Sequence, residues 1–240
     1  EYLHDVCIDG DILYGCAINA DEMYVFDISD KSNPMLISTW PGVPKAHSCW
    51  VSEDSQTIFT GSETTGGHIM SWDVSDLSNV EFLDEWLPEE GENWSAHNVF
   101  VLDNMLYISY YVYGLQVLDI SNPSNLELVA YYDTYGQDSD YMYTGAWGAY
   151  PFLGSDNVLI SDRVTGLYVV DVQGALDDQI GDINQDQDIN IMDIIVLIGF
   201  ILENTLPTDL EFSLSDMNQD GDLDVLDVIF LVNFILESSN

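Results

Sequence analysis

The chain has 240 residues, 47% of them apolar, enough to bury one large domain or a large and a small one. Its formal charge of −40, from 43 acids against Lys31, Lys45 and Arg163, excludes nucleic acid and anionic membranes as partners and favours cations. The apolar run IIVLIGFIL after Asp193 falls short of the ~18 residues of a transmembrane helix, so the chain is expected not to span a membrane.

Of the acids, 30 precede residue 181 and 13 follow, so acidity belongs to the whole chain and a local ion site explains only part of it. The start, EYLHDV, has neither Met nor a charged and apolar leader, which suggests a removed export segment or a longer parent chain. The first cysteines, Cys7 and Cys16, flank a DGD turn at Asp9–Asp11 and could bond across a hairpin in an oxidising compartment. Together with Cys49 they could equally be buried free thiols.

The first 172 residues repeat. YVFDISDKSNP, MSWDVSDLSNV, QVLDISNPSN and YVVDV place Asp27, Asp73, Asp119 and Asp171 at intervals of 46, 46 and 52, a spacing in the range of propeller blades. Each is an apolar strand closed by a side chain that can accept a backbone N–H of the following turn. A second series, at His4, His47, His97 and Trp147, runs in phase at spacings of 43, 50 and 50. Between the series lie ILYGCAI, TIFTGSE, MLYISYY and NVLISD, and after the aspartates MLISTW, VEFLDEW and LELVAYY. Four strands per period predict β-propeller blades, three complete and a fourth without its outermost strand. Upstream blades on a longer or separate chain are the expected completion; a four-bladed ring and a β-sandwich are the alternatives.

These segments, from HDVCI through AHSCWV, AHNVFV, GLQVLDISNPSN and LISDRVTGLYVVD, resemble in order the LVIvD-repeat proteins of the choice-of-anchor B group. The resemblance implies an exported propeller followed by an attachment module, and leaves its activity open.

His4, His47 and His97 open the first strands, while Glu63 and Asp162 close second strands that run back to the same face. With His68 in a nearby loop, all four histidines are expected on one rim. Imidazole with carboxylate suits zinc, iron, copper or manganese, or acid and base work on a ligand; backbone bonding at the blade junctions is the structural alternative. There is no GxSxG elbow or P-loop, and NWS at Asn93 fits a glycosylation acceptor.

Beyond a linker at 173–180, residues 181–240 are expected to form a second domain. In DINQDQDINIMD, Asp182, Asn184, Asp186, Asp188, Asn190 and Asp193 hold positions 1, 3, 5, 7, 9 and 12 of a calcium loop. Thirty-four residues on, DMNQDGDLDVLD repeats the set as Asp216, Asn218, Asp220, Asp222, Asp224 and Asp227. Position 7 binds through its carbonyl, and position 6 is Gln187 in one loop and Gly221 in the other. Each loop leads into an apolar helix-length run, IIVLIGFIL or VIFLVNFIL, with no helix expected before it. Paired loops of this kind over 181–237 resemble a type I dockerin, which implies two calcium ions and a cohesin partner. The resemblance places partner contacts at Ile191, Met192, Val225 and Leu226, where apolar groups stand in place of the usual small hydroxyls, so a second copy of the chain is the other expected partner. The sequence thus predicts a secreted or cell-surface propeller that attaches or assembles through calcium. A self-assembling structural protein and a metal-dependent enzyme using the histidine rim are the alternatives.

Overall fold

The computed structural model describes residues 2–88, 94–136, 141–155, 157–172, 180–184, 189–202, 206–218 and 220–238. Asn93 of the glycosylation pattern lies outside them. The chain divides into two compact units, residues 1–171 and 172–240. Among the described residues, no helix is long and apolar enough to cross a membrane.

Among the described residues, the sheets of the first unit are all antiparallel. Strands β1 (Asp5–Asp9), β2 (Ile12–Ala17), β3 (Glu22–Asp27) and β4 (Met35–Pro41) form the first sheet in that order. The second holds β5 (Ala46–Val51), β6 (Thr57–Ser62), β7 (Ile69–Asp73) and β8 (Glu81–Trp86), again in order. The third holds β9 (Asn98–Leu102), β10 (Met105–Ser109), β11 (Leu115–Asp119) and β12 (Glu127–Tyr132). The last has three strands, β13 (Ala146–Tyr150), β14 (Asn157–Asp162) and β15 (Gly166–Asp171). β5 packs on β1 and β9, and β13 on β9, so the first strands lie side by side along one line. These are propeller blades in an open arc, with the predicted gap in the fourth.

Burial explains the strand patterns. Every residue of β6, TIFTGS, is buried because its sheet is covered by a neighbour on each face, whereas β4, at the outer edge, is mostly exposed. Ile58 and Phe59, adjacent in β6, point to opposite faces and enter different cores, one between blades one and two and the other between blades two and three. Each such side chain contributes about 1.5–3 kcal/mol through burial.

The recurring aspartates act as the sequence suggested. Asp27, Asp73 and Asp119 end β3, β7 and β11 and accept the backbone N–H of Ser29, Ser75 and Ser121 at 2.8, 2.8 and 2.7 Å. The Ser29 and Ser75 hydroxyls, and after them these N–H groups, hold the Asp27 and Asp73 carboxyls below the usual carboxylate range. A bulge between the third and fourth strands recurs at Val25/Phe26, Ser71/Trp72 and Val117/Leu118. Blades are tied at their edges by Ser38 donating to the Leu77 carbonyl at 2.5 Å and Ser71 to the Pro123 carbonyl at 2.6 Å.

Of the two readings of the cysteines, the structure has the free thiols: Cys7, Cys16 and Cys49 are all buried and carry no disulfide. Cys7 stands opposite Tyr14 and Cys16 opposite Asp5, so the two thiols are diagonal rather than paired. The Cys49 sulfur, in the next blade, lies 3.3 Å from that of Cys7. Hydrogen bonding to Cys49, then burial, pushes the Cys7 thiol well above its ordinary pKa, so it stays protonated and inert.

The second unit holds helices α1 (Ile191–Ile201), α2 (Asp209–Ser215) and α3 (Val225–Ser238). Its core is Ile183, Leu197, Phe200, Leu214 and Leu231, with α1 packed on α3. α2 corrects the expectation that no helix precedes the second loop: Thr208 caps it by accepting the Glu211 N–H at 3.2 Å, and Glu211 accepts the Thr208 N–H in return at 2.8 Å. Among its few apolar residues Leu214 enters the core. A capping box on so short a segment is easily overlooked beside the longer apolar runs.

Candidate functional site

The two acidic loops are built alike. Asp193, in the first turn of α1, is fully buried; its Oδ1 accepts the Asn184 N–H at 3.1 Å and its Oδ2 the Asn190 N–H at 2.8 Å. Asp227, in the first turn of α3, is also fully buried and takes the N–H groups of Asn218 at 3.4 Å and Asp224 at 2.8 Å. Positions 3, 9 and 12 are therefore tied in the same way twice, which fixes the last carboxylate at the mouth of each loop. Asn190 also caps α1 by accepting the Met192 N–H, and Asp224 does the same for Leu226 in α3.

In the second loop Asp216 is buried and accepts the N–H groups of Asp220 at 3.1 Å and Gly221 at 2.9 Å. Gly221 makes the turn at φ +85°, a conformation that suits glycine. Of the first-loop ligands, Asp186 and Asp188 lie outside the described residues, and so does Gln187. Residues 172–240 contain no Lys, Arg or His, so no side chain of this unit can neutralise Asp182, Asp193, Asp216 and Asp227, all of which are buried. Buried carboxylates without a basic partner are costly, and an all-oxygen donor set around them fits calcium. Ile191, Met192, Val225 and Leu226 are all exposed at the starts of α1 and α3.

The second cluster lies on the first unit. The rings of His4, His47, His97 and Trp147 form a ladder along the innermost strands, with centroids 4.4, 4.4 and 4.7 Å apart. Two of these rings sit on bulges: Ala46 pairs with Ser62 and Ser48 with Gly61, leaving His47 over, and Ala146 pairs with Asp162 and Gly148 with Ser161, leaving Trp147. A bulge re-aims a side chain that strict alternation would send elsewhere. His47 Nδ1 donates to the His97 carbonyl at 2.9 Å, so Nε2 carries the lone pair of the neutral ring. That nitrogen faces Glu63 Oε2 at 3.5 Å. Burial pushes the His47 pKa below its ordinary value even against the pull of Glu63.

Glu63 follows β6, and its other oxygen accepts the Tyr111 hydroxyl at 2.7 Å. Burial and this bond push the Tyr111 phenol well above its usual range, so it remains a donor. Tyr111 is held at φ +32° by its bridge to Ala146, and Gly145 permits the close approach, since a Cβ there would lie 2.2 Å from the Tyr111 carbonyl oxygen. One ligand atom each from His4, His47 and Glu63 all lie within 4.8 Å of one another.

The remaining rim residues do not join them. His97 is buried, and burial, then His47, lowers its pKa to about 3; its Nδ1 has no hydrogen-bond partner of good geometry, although the Trp147 carbonyl lies near enough to counter the shift. His68 is at the same end of its blade but turned outward, with Nδ1 3.1 Å from Glu85 Oε2 on β8. Asp162 is structural: its Oδ2 accepts the Thr134 hydroxyl at 2.6 Å, and its Oδ1 the N–H groups of Val164 at 2.7 Å and Thr165 at 2.9 Å. Strand register explains the displacement. Counting from the residues opposite the recurrent aspartates, Thr57, Met105 and Asn157, the sixth position on is Glu63, Tyr111 and Arg163, one beyond Asp162. Tyr111 was legible only through that register, which the apolar pattern of SYYVYG hides.

Residues 180–236 match the dockerin type I domain, and residues 2–40 and 95–134 match the LVIVD repeat. The chain carries LVIVD repeats followed by a type I dockerin domain. No curated protein matches it. Among solved structures it is similar to the periplasmic gluconolactonase of Pseudomonas aeruginosa, at 16% identity and a TM-score of 0.57, over 70% of this chain and 49% of that one. A protein from Lactobacillus plantarum gives 18% identity and a TM-score of 0.58, over 72% of this chain and 52% of that one. A putative 6-phosphogluconolactonase from Bacteroides fragilis gives 16% identity and a TM-score of 0.52, over 72% and 54%. The chain thus spans about half the length of these structures, and the likeness establishes the propeller fold alone. For the C-terminal unit the dockerin match supports calcium as the ion and assembly as the role.

Proposed function

We propose that the chain is an extracellular or cell-surface LVIVD-repeat propeller whose dockerin domain, folded by two calcium ions, docks it to a cohesin-like partner. The observation that carries this reading is the duplicated loop, with Asp193 and Asp227 buried and bonded alike in a unit without one basic residue. Calcium binds only the folded loops, so it stabilises the domain by mass action. The ordered loops then present Ile191 and Met192 at one helix start and Val225 and Leu226 at the other, two similar apolar surfaces for a partner. The test is calorimetry of the full chain against a panel of cohesin domains, with calcium and with excess chelator. Micromolar or tighter binding that disappears with chelator is expected; no binding to any cohesin in saturating calcium would overturn the partner.

A second reading, association of the chain with itself, rests on a different observation. Ile195, Ile229 and Phe230 continue the exposed apolar stripes beyond the loop positions, so that the helix faces are more apolar than docking through the loop ends alone requires. Light scattering of the purified chain across a concentration series separates the two: a calcium-dependent dimer or polymer formed without any second protein supports self-assembly, and a monomer at all concentrations excludes it.

A further inference from the structure

We infer that His4, His47 and Glu63 form a binding site for one divalent first-row transition metal ion on the propeller, separate in place and chemistry from the calcium loops. Three observations converge on it.

The first is ligand geometry. Two ligand atoms on a tetrahedral ion with bonds of about 2.0–2.1 Å are about 3.3 Å apart, and His47 Nε2 lies 3.5 Å from Glu63 Oε2. The ligand atom of His4 falls within 4.8 Å of both, so this exposed ring must move nearer to complete the set. Two imidazoles and one carboxylate leave coordination positions for water or a ligand, as in zinc or iron centres with an open site. Calcium, which takes oxygen ligands, is disfavoured by the two nitrogens.

The second is orientation from outside the set. His47 Nδ1 donates to the His97 carbonyl, which fixes the tautomer and turns the Nε2 lone pair toward Glu63. The Tyr111 hydroxyl occupies Glu63 Oε1 and leaves Oε2 facing the imidazole. With the ring neutral, Nε2 and Oε2 are two electron-pair donors facing each other in a largely buried place, an arrangement that a proton or a metal cation between them satisfies.

The third is backbone expenditure. His47 is the extra residue of a bulge, Lys45 before it stands at φ +47°, and Tyr111 stands at φ +32°. Of the five non-glycine residues at positive φ among the described residues, Asp21, Ser55 and Asp103 lie in hairpin turns, whereas Lys45 stands beside the ligand His47 and Tyr111 is itself the partner of Glu63.

The test uses the full chain, freed of metal and returned to millimolar calcium so that the loops and the acidic surface are occupied. Zinc is then titrated and counted by elemental analysis after desalting, and cobalt is titrated with its visible absorption as the readout. About one equivalent of zinc is expected to be retained, with a cobalt spectrum of low coordination number. His4→Ala, at an exposed position that leaves the core untouched, and Glu63→Gln, which keeps the Tyr111 bond and the shape, should each weaken affinity by at least about 100-fold. Tyr111→Phe should weaken it by about 10-fold, the scale of an outer-shell loss. Retention below 0.1 equivalent in the wild-type chain, or retention unchanged in both His4→Ala and Glu63→Gln, would overturn the assignment.

Discussion

In the propeller arc the side chains with no exposure include Met23, Ile58, Leu106 and Ile160, while in the dockerin domain Asp193 and Asp227 are as deeply buried as Leu197 and Leu231. Apolar contact between neighbouring blades orders the first unit. Five buried apolar residues order the second, around carboxylates that are buried without a basic side chain in the unit, which is where ions are proposed. One sequence thus places its acidity in two ways: as turn-closing groups at strand ends in the arc, and as buried carboxylates, the proposed ligand set, in the dockerin.

The largest effect that can test this contrast is removal of calcium. For loops with dissociation constants near 10⁻⁶ M, one millimolar free ion contributes about 4 kcal/mol per site. Excess chelator should therefore abolish the helical circular dichroism of α1 to α3 while the β signal and melting of the arc persist. A single cooperative transition that chelator leaves unmoved would break the comparison. Next in size, Asp227→Ala should reduce bound calcium from two ions to one and cost about 4 kcal/mol in saturating calcium, and Asp193→Ala should do likewise at the other loop, both read by calcium counting and thermal denaturation.

On the propeller side the equivalent probe is Asp162, a buried carboxylate met by hydrogen bonds rather than an ion. Burial pushes its pKa up, but the Thr134 hydroxyl and the N–H groups of Thr165 and Val164 outweigh burial and hold it below the usual range. Asp162→Ala should cost about 2–3 kcal/mol at pH 7, the worth of a charged hydrogen-bonded group. Because the folded pKa is depressed, this contribution is present above the unfolded value near 4 and lost as pH falls through the folded one. The gap between wild type and variant should begin to narrow below about pH 4 and go on narrowing as pH falls through the folded value; a constant gap at all pH values would assign the loss to packing instead.

How much of this was legible in the sequence differs between the units for physical reasons. The strands were readable because each blade repeats the same alternation and ends in the same Asp, and the loops because ligand spacing around one ion tolerates little variation. The histidine cluster was half readable. Spacing places His4, His47 and Glu63 at one end of the blades, but register makes Arg163, and not Asp162, the equivalent of Glu63. A strand inverts its faces every residue, so an error of one position moves a side chain from the site into a turn. The bulge at His47 and the Tyr111 bond to Glu63 depend on contacts between blades, which a local pattern does not encode. The nearness of Cys7 to Cys49 belongs to the same class.

The smallest effect sharpens the comparison within the dockerin itself. The loops are equal at positions 1, 3, 5, 7 and 12 in carrying Asp, Asn, Asp, Asp and Asp, yet position 6 is Gln187 in one and Gly221 in the other. Gly221 stands at φ +85°, and a Cβ added there would meet no atom within 4 Å, so replacing it penalises backbone conformation without steric clash. Left-handed backbone costs an L-residue about 1 kcal/mol, which corresponds to about fivefold in affinity. Gly221→Ala should weaken the second calcium site by that factor and leave the first unchanged. Gln187→Gly should strengthen the first by a similar factor and bring the two dissociation constants together in a calcium titration. If Gln187→Gly leaves the first site unaltered, position 6 of that loop does not share the conformation of Gly221, and the two proposed ion sites differ in their turns as well as at position 9, where Asn190 corresponds to Asp224.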